Sequence, residues 1–131
     1  MYSDYTYYTG TFLGDLIPEE RFPVFAARAD VFLEELTMGR CADARLPEAS
    51  VTAVKQAECA AAEELFRLDA ALAEAGDASV EQEKVGDYAV TRRRGEDLTR
   101  EAEARVRRVI RRYLVNTGLL FRGIPIGRCR P

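Results

Sequence analysis

Residues 97–123 read DLTREAEARVRRVIRRYLVNTGLLFRG, and their periodicity decides the fold class. Leu98, Ala102, Val106, Val109, Ile110, Tyr113 and Leu114 recur at steps of three and four, so a helix gathers them on one apolar stripe. Arg100, Arg105, Arg107, Arg108, Arg111 and Arg112 fill much of the remaining surface. Gly118 supplies the left-handed conformation that closes a helix C-terminus. Leu119, Leu120 and Phe121 follow, and apolar side chains of that size are costly in water. They must pack on this domain or on a neighbour.

Two more helices come before this one. The first is expected at about 18–38. Pro18, Glu19 and Glu20 suit a first turn, and Pro23 separates that turn from the main body. Phe22, Phe25, Ala29, Phe32, Leu33 and Leu36 make its stripe, and Gly39 ends it. The second is expected at about 47–75, from Pro47 to Gly76, with Val51, Val54, Ala57, Ala61, Leu65, Leu68 and Leu72 facing inward. Its middle is rich in alanine, which lets a neighbouring helix approach closely, so it belongs at the centre of the bundle.

Between the second and third helices the pattern changes. Val80, Gln82 and Lys84 alternate, as do Tyr88 and Val90, around Gly86-Asp87. That spacing predicts a short β-hairpin at about 80–93. Arg92, Arg93 and Arg94 leave it as a concentrated positive charge, either a solvated run or a contact for phosphate or an acidic subunit. At the start of the chain, Tyr5 and Tyr7 alternate and hint at a short extended segment. Tyr2, Tyr5, Tyr7, Tyr8 and Phe12 are too many aromatics for a disordered arm, so they cover the edge of the core or form a subunit contact. The fold class is therefore mainly α: one domain, 1–131, built as a bundle of three main helices with a short hairpin. Its ends, 1–12 and 124–131, are expected to be mobile or engaged with other subunits.

Composition removes several function classes. Histidine is absent, and with it the commonest general base and metal ligand. Cys41, Cys59 and Cys129 are odd in number and far apart, so they read as free thiols, not as a disulfide framework or a zinc site. The carboxylate pairs Glu19/Glu20, Glu34/Glu35 and Glu63/Glu64 are adjacent in sequence, so their side chains diverge on a helix and read as solvated faces. Glu96–Arg100, Glu101–Arg105 and Glu103–Arg107 have the spacing of weak pairs along one helix. No catalytic, metal or cofactor-binding residue is identified, and an enzyme is not expected. No apolar run reaches a membrane span, and the first residues lack a signal-peptide pattern, so synthesis is expected in the cytoplasm.

Charge is distributed unevenly. Residues 1–87 hold 7 basic and 18 acidic side chains, and residues 88–131 hold 12 basic and 4 acidic. The two parts neutralise each other within one fold, or copies associate head to tail, or the basic end meets nucleic acid or an acidic partner. A small helical nucleic-acid-binding regulator using the basic C-terminal region is therefore the alternative function. No convincing helix-turn-helix supports it, because the connections between the helices are too long.

The order of local motifs is itself informative. Tyr5-Thr6-Tyr7-Tyr8 is followed by Gly14-Asp15-Leu16-Ile17-Pro18 and Phe22-Pro23, then Leu36-Thr37-Met38-Gly39-Arg40. After a long Ala/Glu helix come Lys84-Val85-Gly86-Asp87-Tyr88 and finally Thr117-Gly118-Leu119-Leu120-Phe121-Arg122-Gly123. In this order the chain resembles, over nearly its whole length, the head–tail connector (adaptor) proteins of tailed bacteriophages and prophages. The resemblance implies a structural virion protein, with a ring of about a dozen copies beneath the portal protein. Such a ring continues the DNA channel toward the stopper or tail-completion protein, sits at the head–tail junction, and lets double-stranded DNA pass without sequence specificity. It needs no membrane and no cofactor. The residues expected at subunit contacts, portal contacts or the channel are Tyr5, Tyr7, Tyr8 and Phe12 at one end. Tyr88, Arg92, Arg93 and Arg94 are expected there from the hairpin region, with Leu119, Leu120, Phe121 and Arg122 at the other end.

Overall fold

The computed structural model describes the backbone of residues 1–82 and 88–120, with the side chains of 1–75 and 93–120. Four α-helices follow in order: α1 Tyr5–Gly10, α2 Phe22–Thr37, α3 Glu48–Gln82 and α4 Tyr88–Leu114, with a 3₁₀ turn at Arg40–Ala42 between α2 and α3. The mainly helical class and the three long helices are as the periodicity requires. At about 1.5 Å per residue, α3 is roughly 52 Å long and α2 only about 24 Å.

The alanine-rich α3 is the axis, packing against both α2 and α4. Ala57, Ala61 and Ala62 are completely buried, so the small side chains do admit close neighbours. Phe22, Phe25 and Leu33 of α2 meet Val54 and Leu65 of α3 and Val106, Ile110 and Leu114 of α4 in one core. Two expected core positions face outward instead: Val51 in the first turn of α3 and Tyr113 near the end of α4.

The hairpin expectation is not met where the chain is described. Among the described residues there is no strand: 80–82 belong to α3 and 88–93 to α4, while the Gly86-Asp87 turn lies in 83–87, outside the described residues. A ribbon of two strands is marginal in water, whereas Glu81, Gln82, Ala89 and the arginines favour helix and simply extend α3 and α4. Helix α4 thus starts nine residues before the expected Asp97.

The Tyr5/Tyr7 alternation also yields to a local effect. Asp4 caps α1, its carboxylate accepting the Tyr7 N–H at 2.8 Å, and the segment turns helical. Helix α1 then delivers Tyr8 into the core, where it is wholly buried. Its hydroxyl donates to Glu63 at 2.7 Å and accepts the N–H groups of Leu16 (3.0 Å) and Ile17 (3.1 Å). Burial and the Glu63 bond push that hydroxyl up to about 12. Its ring stacks on Phe22 at 5.0 Å and Phe12 at 5.9 Å. Gly14 is required here, because a Cβ at that position would lie 2.2 Å from the Tyr8 ring.

Helix α2 ends at Met38 and Gly39, both in the left-handed region, whose N–H groups reach the Glu34 carbonyl. Helix α4 ends in a similar way. Thr117 Oγ1 donates to the Leu114 carbonyl and accepts the Leu119 N–H, Gly118 has φ of 78°, and Leu119 returns to the core.

Candidate functional site

The candidate contact residues have different fates. Tyr8 and Leu119 are buried in the chain's own core, so neither side chain is available to a partner. Tyr5, Tyr7, Phe12 and Leu120 are half-buried and packed against that core. Arg93 and Arg94 are exposed on α4, not at the foot of a hairpin. The side chains of Tyr88 and Arg92, and all of Phe121 and Arg122, lie outside the described residues. Among the described residues, the aromatic start and the arginine run are not gathered into one site.

The arginines of α4 divide into two sets. Arg105 and Arg107 cross to other helices, forming ion pairs with Glu64 of α3 at 3.2 Å and Glu35 of α2 at 3.4 Å, in place of the expected pairs along α4. Arg107 also lies over the Phe32 ring, 5.3 Å from its centroid. Arg100 pairs with Asp97, one turn away. Arg108, Arg111 and Arg112 are exposed and form no ion pair among the described residues. Positions three and four apart lie on one helix face, so these three guanidinium groups make a single cationic surface. On the same face, three and four residues further on, stands Val115, 66% exposed. Guanidinium groups and an aliphatic side chain together suit a protein partner or a phosphate backbone.

A second cluster escaped the sequence reading. Glu58 of α3 is completely buried. Its carboxylate accepts the N–H groups of Tyr2 (2.9 Å) and Ser3 (2.8 Å) and the Ser3 hydroxyl. Nearby, Asp30 Oδ2 holds the Met1 ammonium at 2.9 Å, while Asp30 Oδ1 is buried with no hydrogen-bond partner among the described residues. Burial, reinforced by Asp30, raises the Glu58 carboxyl to about 7 against the opposing Ser3 and Tyr2 donors. Cys59 and Cys41 flank the cluster as free, buried thiols: Cys59 is pushed up to about 11 by burial, and Cys41 lies 3.2 Å from the Tyr2 hydroxyl. This polar knot ties the first residues onto α2 and α3. The usable sequence signal was the acid itself: Glu58 sits four residues after Val54 and three before Ala61, on the apolar stripe of α3.

The carboxylates read as solvated are also partly structural. Glu63 binds the Tyr8 hydroxyl, and Glu64 pairs with both Arg67 and Arg105. Among the described residues no group of acids and thiols is arranged to hold a metal ion, and no helix is long and apolar enough to cross a membrane. Set against known proteins, the chain matches no family model, no curated sequence and no solved structure.

Proposed function

We propose that the chain is the subunit of a connector ring that joins the portal of a phage head to the stopper or tail and continues the DNA channel. The observation that carries this reading is the outer face of α4, where three guanidinium groups without an ion-pair partner among the described residues stand beside exposed Val115. A fold that pairs Arg105 and Arg107 but leaves this surface open is suited to a partner. The order of motifs from Tyr5-Thr6-Tyr7-Tyr8 to the Thr117-Gly118-Leu119-Leu120 ending supports it as a resemblance. The aromatic N-terminus no longer contributes, because it is folded inward. No catalytic step is assigned.

In this role the helices form the body, and Arg93 and Arg94 offer positive charge to the backbone of passing DNA without reading its bases. Mass photometry of the chain alone and with the portal protein of its own genome tests the proposal. A discrete complex carrying about a dozen copies on the portal is the expected result. A chain that stays monomeric and ignores portal overturns it. Retention of duplex DNA in a gel at ~50 mM salt, together with indifference to portal, transfers the reading to a nucleic-acid-binding regulator.

A further inference from the structure

We infer that the cationic face of α4 docks the acidic segment preceding α2 in a second copy of the chain, joining copies head to tail. This inference rests on the ring reading and gives it a specific interface. One half is Arg108, Arg111 and Arg112 with Val115. The other is Leu13, Asp15, Glu19 and Glu20. Leu13 is 77% exposed, and the three acids are exposed without an ion pair among the described residues. The nearest basic residue, Arg21, does not neutralise them by pairing; it is bound to Asp69 at 2.8 Å.

The two halves are held at opposite ends of α2. The segment around 13–20 leads into the N-terminus of α2 and is fastened to the middle of α3 through Tyr8–Glu63 and Arg21–Asp69. The end of α4 lies beside the C-terminal half of α2, through Arg107–Glu35 and through Arg40, which donates to the Leu119 carbonyl at 2.8 Å. Within one copy no ion pair joins the two surfaces among the described residues, which leaves both free to meet a second copy. They are different surfaces, so the contact is heterologous and propagates into a ring or an open chain. Charge matches three for three. Exposed Leu13 and Val115 give the contact the mixed apolar and charged character of a protein interface, which a DNA backbone would not need.

The test uses the full chain and two variants, Arg111→Glu/Arg112→Glu and Glu19→Arg/Glu20→Arg. Sedimentation velocity is run up to several hundred micromolar at low and high salt, with circular dichroism verifying that each variant is folded. The wild type is expected to self-associate and to weaken as salt rises. Each variant alone is expected to associate roughly tenfold or more weakly, because like charges then face each other. An equimolar mixture of the two restores association, since each reversed surface meets an opposite one. Association unaffected by either variant overturns this interface while leaving a ring built elsewhere. A monomeric wild type at every concentration overturns the attraction between these surfaces, and the ring reading is then decided by portal capture alone. Duplex DNA retention lost in the arginine variant, without self-association, reassigns the face to nucleic acid.

Discussion

The aromatic N-terminus and the outer face of α4 are both stretches where large or charged side chains lie outside the main helical stripes, yet the fold treats them oppositely. Tyr2, Tyr5, Tyr7, Tyr8 and Phe12 are drawn inward by three devices. Asp4 caps α1, Tyr8 ties Glu63 to the Leu16 and Ile17 amides, and Glu58 gathers Tyr2 and Ser3. On α4 the inner arginines, Arg105 and Arg107, find acids on α3 and α2, whereas Arg108, Arg111 and Arg112 find none among the described residues. Stickiness in a sequence therefore does not identify an interface. What identifies it is stickiness that no neighbouring element can reach.

The largest expected effect breaks the inward half of this contrast. Tyr8→Ala removes a wholly buried ring and orphans Glu63 and two amides, so urea unfolding should show a loss of about 3–5 kcal/mol. A loss below about 1 kcal/mol would mean that the N-terminal segment is not integral to the core.

The next effect concerns the polar knot. Glu58 has an ordinary value of 4.5 and about 7 in the fold. A raised carboxyl contributes stability that is fully present below about 4.5 and is lost as pH rises through about 7. Between pH 4.5 and pH 8 the wild type should lose about 2–3 kcal/mol at this site. Glu58→Gln, which mimics the protonated acid, should flatten that slope when stability is followed against pH. An unchanged slope in the variant would place the titration elsewhere.

A smaller effect sharpens the division within α4. Arg107→Ala breaks a half-exposed ion pair and a ring contact, with an expected cost of at most about 1 kcal/mol in thermal or urea unfolding. The smallest effect belongs to the outer face: Arg111→Glu/Arg112→Glu should leave monomer stability within about 0.5 kcal/mol, because both side chains are exposed and form no ion pair among the described residues. A large loss of stability there would show that these arginines serve the fold, and the contrast would fail.

The parts of the fold that were legible share one cause. Three- and four-residue spacing survives in any environment, so Phe22, Phe25 and Leu33, Ala57 and Ala61, and Val106 and Ile110 fell on the correct faces. The misread parts depended on competition between local and distant forces. The Tyr5/Tyr7 alternation lost to a single cap by Asp4, and the alternation at Val80 and Gln82 lost to the continuation of a helix already 32 residues long at Ser79. Spacing along α4 could not reveal that Arg105 and Arg107 would reach across to Glu64 and Glu35, because that choice depends on helix packing. Tyr8 and Gly14 belong together only once the ring is in place. Glu58 was visible as an acid on an apolar stripe, but its donors lie 55 and 56 residues away.

The most direct measurement is arginine modification read by mass spectrometry. The chain is compared as a dilute monomer and in its assembly, formed at high concentration or on portal. Arg108, Arg111 and Arg112 are expected to react freely in the monomer and to be protected in the assembly, while Arg28, exposed on α2, keeps its reactivity. Equal reactivity of the three α4 arginines in both states would contradict the assignment of this face to a partner.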